Sequence, residues 1–357
     1  MGESRGPIRG RGSTSTLEGR FARTTREAEV PDWDDAEPGS APGTALFVDA
    51  ARSIITRNDS PDVPFRQSIN PYRGCEHGCI YCYARPAHAY LDLSPGLDFE
   101  SKIYWKPNAA ALLRNELARP GYRCDPIAIG ANTDGYQPAE RELRVTRQVL
   151  KVLAECHHPV TIVTKSALVE RDLDLLAPMA AAGLARVMIS VTTLDAELKR
   201  RLEPRTASPA RRLETIRRLH SAGVPAGVLA APMIPALNDH ELESILEAAA
   251  AAGASSAGYI LLRLPHEVAP LFEEWLEQHY PLRKSHVLGL LRDMRDGAIS
   301  DPRFGSRMRG AGPLAELLRQ RFERACRAHG LATSREAPLD TSRFVPPAAS
   351  GPQLGLF

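Results

Sequence analysis

The stretch GCEHGCIYCYARP, residues 74–86, sets Cys75, Cys79 and Cys82 within eight positions of a 357-residue chain that has only six cysteines. The spacing is C-x3-C-x2-C. A structural zinc site takes four ligands, usually as two pairs with C-x2-C knuckles. No second pair exists here, because Cys124, Cys156 and Cys326 lie scattered along the chain. His77 stands between two of the thiols, an awkward position from which to complete a tetrahedral wrap. Three thiols serving only as small buried apolar groups fit poorly with a polar loop flanked by glycines. A four-iron cluster binds one thiolate per iron, so three protein ligands would leave one iron open. An open coordination position is where chemistry enters, as it does in three-ligand catalytic zinc sites.

Outward from this loop, the chain alternates short apolar runs with longer stretches of helical periodicity. A strand is expected near SINPYRG (68–74), followed by PIAIGANTDG (126–135), HPVTIVTKS (158–166), ARVMISVTT (185–193), PAGVLAAPMIP (225–235) and SAGYILLRLP (256–265). Between them lie helical patterns such as PAERELRVTRQVLKVLAEC, where Leu143, Val149, Leu150 and Leu153 recur at helical spacing. Near-continuous apolar strands are those of a parallel sheet buried on both faces. About six βα units predict an α/β fold: a partial (β/α)6 barrel over residues 61–265, short of the eight units of a closed barrel. A flat doubly wound sheet fits the same periodicity. Residues 266–345 read as a C-terminal helical region and 346–357 as a flexible tail. Residues 1–60, rich in Gly, Pro, Ser and charge, read as mostly disordered, with 43–59 as the lead-in segment that docks on the domain.

A C-x3-C-x2-C loop after the first strand of a βα series, with the aromatic Tyr81 just before the last cysteine, resembles the radical S-adenosylmethionine (SAM) superfamily over about residues 60–265. The resemblance implies a [4Fe-4S] cluster on Cys75, Cys79 and Cys82, with SAM chelating the open iron. It also implies a one-electron reductant of the flavodoxin or ferredoxin type, and a 5′-deoxyadenosyl radical that takes hydrogen from a substrate. Ligands of parallel α/β sheets gather at the carboxyl ends of the strands. There, Thr133 and Asp134 are expected to accept from the SAM ammonium, Lys165 to pair with its carboxylate, and Ser190 to reach a carboxylate or ribose oxygen. Thr133 and Asp134 are equally suited to a turn or cap.

Within the superfamily the chain resembles the spore photoproduct lyases, including the stretch RRLEPRTASPARRLETIRRLHSAGVPAGVLAAPMIP (200–235). In that stretch Arg201, Glu203 and Arg205 are candidates to line the mouth, and Ser208 before Pro209 reads as a helix N-cap. The likeness has a gap. Those lyases carry a cysteine hydrogen donor near the end of the second strand, where this chain has Ala131 or Asn132. Cys124 precedes the strand, and Tyr136 is a relay candidate that reads more simply as packing. A lyase-related enzyme of undetermined substrate is therefore expected.

Net charge is only +2, from 45 basic and 43 acidic residues, so no global field argues for a polyanionic partner. Locally, Arg295 to Arg327 holds eight arginines against four acids, and this segment is where nucleic acid could dock. The same composition also describes a solvated helix face. No run of eighteen apolar residues occurs, so no membrane span is expected, and clustered rather than paired cysteines suit a cytoplasmic, reducing location. The rival readings are a non-catalytic zinc- or iron–sulfur-binding nucleic-acid adaptor and a SAM-dependent methyltransferase without a cluster.

Overall fold

The computed structural model describes residues 8–22, 43–333 and 338–347. Its strands are β1 (Ala45–Val48), β2 (Ile55–Arg57), β3 (Gln67–Ile69), β4 (Tyr72–Arg73), β5 (Lys102–Trp105), β6 (Ile127–Ile129), β7 (Val160–Thr164), β8 (Ala185–Ser190), β9 (Ala226–Met233) and β10 (Ser256–Leu261). The main sheet runs β10-β9-β8-β7-β6-β3-β2. Its strands from β3 to β10 are all parallel and follow chain order, while β2 pairs antiparallel with β3 at one edge. This is the partial barrel expected from the apolar runs, open between β2 and β10. A smaller sheet, β1-β5-β4, carries the chain into and out of the cysteine loop.

Val160, Ile162, Val187, Ile189, Val228 and Ala230 are fully or almost fully buried, as strands covered on both faces require. The helices Val145–Glu155, Leu173–Ala181, Pro209–Ser221 and Leu242–Ala251 follow β6, β7, β8 and β9 in turn. Ser208 caps Pro209–Ser221, its hydroxyl accepting from Arg211 N at 3.3 Å. The helical pattern at 138–156 is broken in the structure: Arg144 adopts φ +52° and a new helix starts at Val145. The cause is Glu140, whose buried carboxylate accepts from Thr146 N (3.0 Å) and Arg147 N (3.2 Å) and so caps the second helix. The other edge is covered as well. After the helix Gly312–Ala328 the chain runs beside β10, with Ala257 N donating to Ala332 O at 2.9 Å.

Residues 8–22 depart from the disorder their composition suggests, while 43–59 pack onto the domain. Arg11, Ser13 and Thr14 are buried. Gly12 N and Ser13 N each donate to the Glu100 carboxylate at 2.9 Å, Arg11 Nη1 donates to Glu100 O at 2.7 Å, and Thr14 Oγ1 reaches Glu274 at 2.9 Å. The segment forms a strap that earns its order through hydrogen bonds rather than apolar area, which is why composition does not reveal it. Expectations for residues 1–7, 23–42 and 348–357 fall outside the described residues. A Cβ on Gly12 would lie 1.8 Å from the carbonyl oxygen of Gly78. Gly12→Ala is therefore expected to cost about 1–3 kcal/mol by overpacking and to speed hydrogen exchange at Ser13 N; unchanged exchange would mean the strap does not bear on Gly78.

Candidate functional site

The cysteine loop leaves β4 at Arg73 and turns at two glycines in the left-handed region, Gly74 (φ +79°) and Gly78 (φ +68°). Both are required by space as well as conformation: a Cβ on Gly74 would sit 2.9 Å from Phe99 O, and one on Gly78 2.8 Å from a Glu100 oxygen. Cys75 N donates to Phe99 O (2.9 Å) and Cys82 N to Cys79 O (3.2 Å). Beneath the loop, Arg85 has no solvent exposure. Its Nε donates to Cys79 O at 2.9 Å, its Nη1 to Pro95 O (3.0 Å) and Gly96 O (2.9 Å), and its Nη2 pairs with the equally buried Glu100.

All three thiols are free; Cys75 and Cys79 are buried and Cys82 is half-buried. Burial pushes Cys75 well up, with Asp134 and the other two thiols adding to it, and raises Cys79 to about 12 despite the opposing charge of Lys165. Cys82 is raised by burial too, against the pull of nearby N–H groups and of Arg85 and Lys165. Cys82 packs against both of the apolar clusters that contain Cys75 and Cys79. No set of three His, Cys, Asp or Glu side chains among the described residues converges on a single metal ion. One thiol per iron of a larger cluster suits this donor set better than a mononuclear zinc wrap. His77 is already committed, its Nδ1 lying 3.3 Å from Asp134 Oδ2.

The strand ends surround this loop. Asp134 follows β6, and its two oxygens accept from Thr164 Oγ1 (2.7 Å), Lys165 N (2.9 Å) and Tyr136 N (2.9 Å) in addition to His77. Burial would raise Asp134, but His77 and the bonds from Lys165 N and Thr164 outweigh it and bring it to about 2. Asp134 therefore knots the cysteine loop to the ends of β6 and β7, whereas the residue pattern had assigned it to an ammonium ligand. Thr133 is buried and donates to Tyr72 O at 2.9 Å, joining β6 to β4. Lys165 and Ser190 are different. The Lys165 ammonium lies 5.9 Å from the Tyr81 ring centroid and has no carboxylate within ion-pair distance among the described residues. The Ser190 hydroxyl, at the end of β8, is buried without a hydrogen-bond partner.

Tyr81 belongs to a network that sequence reading did not assemble. Its hydroxyl donates to Glu203, which also accepts from Thr192 Oγ1 (2.6 Å) and pairs with buried Arg212. Burial would raise Glu203, but Arg212 and Lys165 hold it at about 2. Glu203 is thus an internal brace, not a residue of the mouth. Of its expected companions, Arg205 pairs with Glu76 (3.2 Å), and Arg201 donates to His279 O (3.3 Å) and lies over the Tyr280 ring. Tyr136 is buried in the core, and Cys124 precedes β6 at the far end of the sheet.

Tyr83, beside Cys82, went unremarked in the sequence because aromatic loop residues carry no distinctive signal. It is exposed, and its hydroxyl donates to Ala131 O, where the lyase resemblance would have put a thiol. Arg263, just past β10, stacks over the Tyr83 ring at 5.6 Å and approaches Met308 Sδ at 3.6 Å, so the 303–312 loop reaches the same rim. Half of the eight arginines of the rich segment are paired, Arg303 with Asp296 and Asp301, Arg307 with Asp62, Arg319 with Glu316 and Glu323, and Arg321 with Glu243, while Arg295 is buried.

Residues 69–249, about half the chain, match the radical SAM superfamily. An uncharacterised protein of Mycobacterium tuberculosis is 36% identical over 288 residues, covering 80% of this chain and 81% of that protein. One of Methanocaldococcus jannaschii is 28% identical over 213 residues, covering 60% and 76%. Among solved structures, spore photoproduct lyase complexed with dinucleoside spore photoproduct superposes with a TM-score of 0.59 at 18% identity, covering 81% of each chain. A mutant of that lyase with bound AdoMet and dinucleoside spore photoproduct gives 0.53 at 18% identity, again over 81% of each. The match across the cysteine loop and the strand series, together with a relative at this identity, establishes that the chain belongs to the radical SAM superfamily.

Proposed function

We propose that Cys75, Cys79 and Cys82 hold a [4Fe-4S] cluster whose open iron takes S-adenosylmethionine, and that this enzyme acts on a nucleic-acid-related substrate. The observation that carries the reading is the set of three free thiols near the Lys165 ammonium, with the unpartnered Ser190 hydroxyl at the end of the adjacent strand. Bound there, cluster and S-adenosylmethionine would supply a 5′-deoxyadenosyl radical that abstracts hydrogen from the substrate, after one electron from a small reductant protein.

The chain's own residues prepare that step. The buried thiols must lose protons on ligation, and Lys165 is a cation that favours their charged form. Lys165 can at the same time pair with the amino-acid carboxylate of the ligand, and Ser190 can donate to it. Thr133 and Asp134 fix the strand ends from which Lys165 projects, with Asp134 gripping Lys165 N. Tyr81, clamped by Glu203 and lying under Lys165, helps keep water from the pocket. At the rim, Tyr83 places a phenol, a group able to give up a hydrogen atom, beside the last cysteine.

A nucleic-acid-related substrate is supported by the cationic rim, where Arg263 and the 303–312 loop meet over Tyr83. The lyase structures with bound dinucleoside point the same way.

Reconstituted anaerobically and reduced, the protein is expected to show broad charge-transfer absorption and to convert S-adenosylmethionine to 5′-deoxyadenosine, both lost in Cys75→Ala. Wild-type protein that never forms that nucleoside overturns the reading. Lys165→Ala should retain the cluster spectrum yet bind S-adenosylmethionine about tenfold or more weakly, the scale of a lost charge-assisted hydrogen bond. Calorimetry showing unchanged affinity would remove Lys165 from the ligand's contacts.

A further inference from the structure

We propose that the start of the helix Gly312–Ala328, together with Arg309 and Tyr259, forms a phosphate-binding subsite for the substrate. A cavity of about 160 Å³ lies at this helix start, lined by Tyr259, Arg309, Gly310, Gly312, Glu316 and Arg319 among others. At about 30 Å³ per water molecule it has room for a tetrahedral oxyanion.

Three features of the lining favour an anion. The 17-residue helix begins without a side-chain cap, since Ala311 offers none, and the first-turn amides of Gly312 and Leu314 have no acceptor within the helix. Such a terminus carries partial positive charge and free donors. Arg309 lies with its guanidinium 4.1 Å over the Tyr259 ring and has no carboxylate within ion-pair distance among the described residues, unlike Arg303, Arg307, Arg319 and Arg321. Tyr259 itself is 1% exposed, and its hydroxyl is buried without a hydrogen-bond partner. The carboxylate in the cavity, Glu316, is already held by Arg319 and Gln320, so it does not oppose an incoming anion with a free charge.

The turn is also fixed in place. Gly310 and Gly312 adopt φ +76° and +82°, and a Cβ on Gly310 would meet Leu261 Cδ2 at 2.8 Å, so the loop can lie this close to β10 only with glycine there. Met308, one residue before Arg309, contacts Arg263, which covers Tyr83 beside the cysteine loop. The subsite therefore sits on the loop that borders the proposed pocket. That its phosphate belongs to the substrate rests on the functional reading above; the oxyanion chemistry does not.

Full-length reconstituted protein titrated with inorganic phosphate, followed by ³¹P line broadening, tests this directly. Arg309→Gln and the isosteric Tyr259→Phe should each weaken phosphate binding, the arginine variant by about tenfold or more. Phosphate affinity unchanged in both variants overturns the subsite. A single-stranded oligonucleotide that displaces phosphate assigns the group to a nucleic-acid strand, and displacement by a nucleoside monophosphate alone assigns it to a free nucleotide. Failure of both to displace it overturns a role in substrate binding. Absence of 5′-deoxyadenosine formation by wild-type protein, with phosphate binding intact, would instead count against the cofactor reading and leave the subsite standing.

Discussion

Arg85 and Glu100 meet out of reach of solvent, and every side-chain nitrogen and oxygen they carry has a partner. Arg85 binds the carbonyl of Cys79 and the backbone at Pro95 and Gly96, while Glu100 binds the N-terminal strap at Gly12 and Ser13. A buried ion pair of this kind adds little net stability when complete, but losing one partner typically costs about 3–5 kcal/mol because the other charge is stranded. Its effect here is specificity of shape. The loop cannot shift without leaving a guanidinium or a carboxylate unsatisfied, so the thiols hang from a frame that is rigid before any ligand arrives.

Two further polar clusters hold the loop from the sheet side. Asp134 joins His77 to the ends of β6 and β7, and Glu203 joins Tyr81 to Thr192 and Arg212. Both carboxylates stay ionised despite burial because their partners outweigh the desolvation. Between these clusters lie Lys165 and Ser190, the polar groups the frame leaves without a fixed partner. Carboxylates braced on several sides around a few unsatisfied groups are how a pre-organised binding site differs from a merely polar interior.

The strand series was legible because strands covered on both faces must be apolar almost throughout, and the cysteine spacing was legible because few structures need three thiols so close. The braces were not. Arg85, Glu100, Glu203 and Arg212 look like surface residues in a linear sequence, since charged side chains are seldom fully buried unless paired, and their pairings span up to 15 residues of chain or cross between elements. The arginine-rich segment misled for the same reason in reverse. The counterions of Arg307 and Arg321, Asp62 and Glu243, are 245 and 78 residues away, so a local count overstated the free charge. Asp134 fell between the two cases: its position at a strand end was readable, but which neighbours would occupy its oxygens was not.

The strap has a consequence for the order in which the molecule can be completed. Its first residues leave the ribosome long before anything they bind, for Glu100 lies 88 positions beyond Gly12 and Glu274 lies 260 beyond Thr14. Contacts so distant in sequence form late, after the entropy of closing the intervening chain has been met. During synthesis the strap's bonds to Glu100 can form once that residue has emerged, whereas its bond to Glu274 must await the helix Val268–His279. The strap is thus fastened in two stages set by distance along the chain, near the cysteine loop through Glu100 and across the molecule through Glu274.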